Sequence, residues 1–77
     1  MENISYAELA ELQYFAERAI AFWKREFGYA PMNPDEAEQA IRRAFVEEWI
    51  DTNEPWKYLK ERLELIVEQI GFMVESE

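Results

Sequence analysis

Apolar residues recur at helical spacing in three stretches of the chain, and each stretch opens and closes on residues suited to a helix end. Ser5 stands as an N-cap, with Glu8 three residues on to complete a capping box and Ile4 and Leu9 placed as a hydrophobic staple. The pattern then runs to Phe27. Lys24 and Arg25 lie against the negative end of the helix dipole, and Gly28 suits the left-handed position that ends a helix. At about 100° per residue, Leu9, Leu12, Ala16, Ala19, Ile20, Trp23 and Phe27 fall on one stripe, widened on one side by Phe15 and Phe22. A stripe that wide predicts a helix in contact with two others.

Asn33, then Pro34, Asp35 and Glu36, forms a second start signal: a cap, a first-turn proline, and acids at the positive helix end. Its inner stripe is Ala37, Ala40, Ile41, Ala44 and Phe45, with Trp49 at the edge, and the alanines predict a close approach of neighbouring helices. Glu48 falls near the middle of that stripe. The run from Asp51 to Pro55 breaks the pattern; Thr52 or Asn53 is suited to cap a third helix, and Pro55 is tolerated only in a first turn. Trp56, Leu59, Leu63, Ile66, Val67 and Ile70 form the third stripe, and Gly71 is expected to end or kink it.

The spacing thus predicts helices over about 5–27, 34–50 and 54–70 and a short acidic tail over 71–77, in a single domain spanning 1–77. Helices joined by short loops bury their faces against one another, so the expected fold is all-α, a small antiparallel three-helix bundle. No stretch alternates as a strand does, and there is no internal repeat.

Composition narrows the chemistry. The chain has 77 residues with neither cysteine nor histidine, which removes disulfides, thiolate and imidazole metal ligands, and Ser-His or Cys-His nucleophile pairs. No spacing matches a calcium loop, and a carboxylate di-iron site also requires histidine. No enzyme activity, cofactor or metal is expected. Seventeen acids against eight bases give a net charge of -9, which repels nucleic-acid phosphates and anionic membranes alike and favours a basic protein surface as partner. There is no basic leader and no apolar run of the ~20 residues a membrane span needs, so a cytoplasmic location is expected.

Two groups of residues stand out as candidate partner contacts. Glu47, Glu48, Asp51 and Glu54 gather at the corner between the second and third helices, and Glu61, Glu64 and Glu68 recur at helical spacing on the third. A row of carboxylates can stand in for a strand of phosphates and draw Lys and Arg of a partner into charge-assisted contacts. The plainer reading is a solvated face in which Lys57, Lys60 and Arg62 form i,i+4 pairs with these glutamates. The second group is apolar. Tyr58 and Leu65 align opposite the third stripe, joined by Phe72 where the helix passes Gly71, and Tyr14 lies away from the core of the first helix.

The charge favours a small interaction protein that binds and blocks or regulates a basic, nucleic-acid-binding surface of a partner. In size and charge balance the chain resembles the small inhibitors that phages and plasmids direct against restriction, CRISPR or transcription machinery, anti-CRISPR proteins among them; the likeness is one of composition. The alternative is a homodimeric structural or assembly module that uses the exposed aromatic stripes.

Overall fold

A computed structural model describes residues 5–48 and 56–76 of the chain. Ile4, Trp49, Ile50 and the expected caps at 51–55 lie outside the described residues.

The first helix, α1, spans Tyr6–Phe27. Ser5 caps it as expected: its hydroxyl accepts from the Glu8 N–H at 3.1 Å, satisfying one of the donors that a helix start leaves free. At the far end Gly28 takes φ 83°, and its N–H donates to the Lys24 carbonyl at 2.8 Å. The second helix, α2, spans Pro34–Glu47, and the Asn33 side chain accepts from the Glu36 N–H at 2.9 Å.

The expected third helix is two helices: α3 over Trp56–Glu61 and α4 over Leu63–Glu75. The break falls at Arg62, with neither proline nor glycine beside it. The Arg62 N–H donates to Leu59, three residues back, at 3.1 Å, where a continuing α-helix would use Tyr58. The Tyr58 carbonyl so released accepts from the Arg62 guanidinium at 3.3 Å, and that guanidinium lies 3.9 Å from the centre of the Tyr58 ring. The side chain of Arg62 thus replaces the bond its own backbone gives up.

A second correction concerns Gly71 and the tail. Gly71 does not end the helix: α4 passes through it to Glu75, so 72–75 are helical. The backbone there keeps negative φ, and burial of Val74 and Met73 against the core holds the last turns in place.

Helices α1, α2 and α4 pack pairwise around one core, and α3 lies against α4. This is a small all-α bundle, and no strand occurs among the described residues. Ala16, Ala19, Ala40 and Ala44 are fully buried, and their small side chains let the helix axes approach closely. Phe22, Ile41, Leu59, Ile66 and Ile70 fill the space between, each contributing roughly 1.5–3 kcal/mol by leaving water. α1 does touch both α2 and α4, but its buried face centres further round than the stripe read from sequence. Phe15 and Phe22 are core residues, while Phe27 is exposed and stacks on Trp23 at 4.2 Å.

Candidate functional site

The acidic corner is less free than its residue types suggest. Glu48 does not enter the core: its side chain keeps 26% exposure and pairs with Arg25 of α1, tying the end of α2 to the end of α1. Arg25 is also held over the Phe22 ring, at 5.6 Å. Glu47 is exposed and pairs with Arg43 one turn back at 4.0 Å. Asp51 and Glu54 lie outside the described residues.

On α4 the arrangement differs. Glu64, Glu68 and Glu75 are all exposed, and 100° per residue places them within an arc of about 40°, on one line. At ~1.5 Å rise per residue they stand about 6 Å and about 10 Å apart along the axis. α4 carries no Lys or Arg, and none of the three makes an ion pair among the described residues. Glu61 does not extend the line. It ends α3, across the break from Glu64, and lies 3.7 Å from Arg62.

The apolar alignment does not form. The break at Arg62 puts Tyr58 on α3 and Leu65 and Phe72 on α4, and both Tyr58 and Leu65 are half-buried against the core. Phe72, 61% exposed, stands beside the α4 carboxylates. Tyr14, 51% exposed on α1, accepts from Arg18 at 2.9 Å and meets Phe15 edge-on at 5.5 Å.

Two features escaped the sequence reading. One is a groove of about 210 Å³ between the Pro31–Pro34 turn and the last turns of α4, floored by Ala37 and Ile70. It was hidden because its walls are far apart in sequence; the signal was Gly71, which lines it. The other is a cluster in which Trp23 meets Tyr29 edge-on at 6.2 Å and Arg43 lies 5.4 Å over the Phe27 ring. Glu36 holds the turn beside it, accepting from the Tyr29 hydroxyl at 3.3 Å and from the Met32 N–H at 2.8 Å. Partial desolvation, and then the Glu36 carboxylate, raise the Tyr29 phenol above its ordinary value.

Among the described residues no charged or polar side chain is buried, no group of three acidic residues is placed to hold a metal ion, and no helix is long and apolar enough to cross a membrane. Comparison with known protein families, with curated proteins and with solved structures finds no significant match.

Proposed function

We propose that this protein is a small acidic binding module that occupies a basic, nucleic-acid-binding surface of a partner protein and blocks it, as phage and plasmid inhibitors do. One observation carries the reading: α4 presents Glu64, Glu68 and Glu75 on a single exposed line, with no Lys or Arg on that helix and no ion pair to any of the three among the described residues. Carboxylates already paired with arginine, as at Glu47 and Glu48, must break a contact before meeting a partner; those on α4 need shed only water. A line of negative charge in water steers a basic surface toward it and supplies charge-assisted hydrogen bonds on arrival. Against the homodimer alternative, Tyr58 and Leu65 are half-buried against the core, and Tyr14 and Phe72 sit on different helices.

The test is retention of proteins from the native host on immobilised chain, wild type against Glu64→Lys/Glu68→Lys, at low and raised salt. A specific basic, nucleic-acid-binding protein should be retained by wild type, released as salt rises, and lost from the variant, while both chains melt alike. Retention that is indifferent to salt and to the reversal refutes the reading.

A further inference from the structure

The groove beside the carboxylate line and the glycine that lines it point to the chemistry of the partner. Gly71 lies inside a helix, where glycine weakens the helix relative to alanine, and its backbone needs no positive φ. Nor does any neighbour require it, because a Cβ built there would meet nothing within 4 Å. The fold therefore makes no use of this glycine. What its missing side chain does is keep open the α4 wall of the groove, whose other walls are Pro31, Met32, Val67 and Val74. Met32 stands 76% exposed at the rim. The volume, about 210 Å³, exceeds the ~150 Å³ of an apolar cavity known to hold benzene, so it has room for one large apolar side chain.

The rim is one-signed. Gly71 falls about 20° from Glu64 and about 40° from Glu75 on the helical projection, Glu75 itself lines the groove, and no Lys or Arg does. Asp35, next in the chain to the groove-lining Pro34, is exposed in the first turn of α2, whose dipole end is already capped by Asn33.

We infer that the groove takes an apolar anchor residue from a Lys- and Arg-rich segment of the partner, whose basic side chains lie along Glu64, Glu68 and Glu75. The inference rests on the acidic face proposed above and adds to it a specific apolar pocket. Charge alone would bind any basic surface; an anchor seated beside the carboxylates selects those carrying a bulky apolar residue among their bases.

Fluorescence anisotropy with three labelled synthetic peptides tests this: a Lys-Leu repeat, a Lys-Ser repeat of equal charge, and a Glu-Leu repeat. The chains are wild type, Gly71→Leu, which fills the groove, and Glu64→Lys/Glu68→Lys, which leaves it open. Wild type should bind the Lys-Leu peptide about tenfold or more tighter than either other peptide. Gly71→Leu should lower Lys-Leu binding to the Lys-Ser level, leave Lys-Ser binding unchanged, and melt no lower than wild type. Equal binding of Lys-Leu and Lys-Ser, both untouched by Gly71→Leu, overturns the groove and spares the acidic face. Lys-Ser binding indifferent to the double reversal overturns the acidic face itself. If Glu-Leu binds as well as Lys-Leu, the basic chemistry of the occupant is wrong. Sedimentation showing a wild-type dimer that Gly71→Leu dissolves would assign the groove to a second copy of the chain and overturn the inference.

Discussion

The two glycines of this chain should respond to the same substitution with opposite signs. At both Gly28 and Gly71 an added Cβ meets no atom within 4 Å, so alanine there changes the backbone energy and almost nothing else. Gly71 has ordinary negative φ inside α4, where alanine is favoured by roughly 0.5–1 kcal/mol, partly because it restricts the unfolded chain. Gly28 sits at φ 83°, where a Cβ crowds the following carbonyl at a cost of roughly 1–2 kcal/mol. For a domain of this size each kcal/mol moves the melting temperature by about 4–8 °C. Gly71→Ala should therefore melt about 2–8 °C above wild type, and Gly28→Ala at least as far below it. Thermal unfolding followed by far-ultraviolet circular dichroism reads both. A Gly71→Ala chain that melts lower refutes a helix running unstrained through residue 71; a Gly28→Ala chain that melts unchanged refutes the left-handed stop on α1. If the groove serves a partner, Gly71→Ala also carries a functional penalty despite its added stability.

The core, the ion pair and the tyrosine give three further expectations. Ile66→Ala should cost about 2–5 kcal/mol in chemical denaturation, because Ile66 is fully buried where α1, α2 and α4 meet; a cost below about 1 kcal/mol contradicts the packing. A double-mutant cycle on Arg25→Met and Glu48→Gln should give a coupling of only about 0.2–1 kcal/mol, since Arg25 is 58% and Glu48 26% exposed; a coupling several times larger would mean the pair is drier than the structure shows. Because folding raises the Tyr29 phenol, the native state holds that proton more tightly than the unfolded chain. Its contribution to stability is therefore intact below the ordinary value of 10.0 and is lost as pH rises through the higher native value. Tyr29→Phe should flatten the fall in melting temperature above about pH 10, and an identical fall in wild type and variant counts against the Glu36 contact.

Features set by one residue were legible in the sequence. Ser5, Gly28 and Asn33 each end a helix by their own side chain or φ, so their positions could be read directly. The break at Arg62 could not. Arginine is a good helix former, and the break follows from which carbonyl its N–H chooses and where its guanidinium lands. That one choice decided the fate of both candidate surfaces, separating Glu61 from Glu64 and turning Tyr58 and Leu65 toward the core. The Arg25–Glu48 pair was equally hidden, since it joins residues on two helices and no spacing along one helix records it. Glu64 and Glu68 were legible because one turn separates them; Glu75 joined them only once α4 was seen to continue past Gly71.

α4 departs from good helix chemistry twice, and both departures lie on the same face. Glu64 and Glu68 repel at i,i+4, Glu75 adds negative charge to the negative end of the helix dipole, and no Lys or Arg of α4 relieves either. α1 shows the usual remedy, with Lys24 and Arg25 in its last turn. Gly71 then weakens the same helix from within, beside the same carboxylates, although no neighbour requires the space. Departures from agreement between caps, charges and packing gather where a protein meets something else. The burial of Leu63, Ile66 and Ile70 is what lets the helix tolerate both. A basic segment with an apolar anchor would relieve each in turn, its cations neutralising the glutamates and its anchor filling the space beside Gly71. Binding such a segment should therefore raise the melting temperature of wild type more than that of Gly71→Leu, in which the space is already filled.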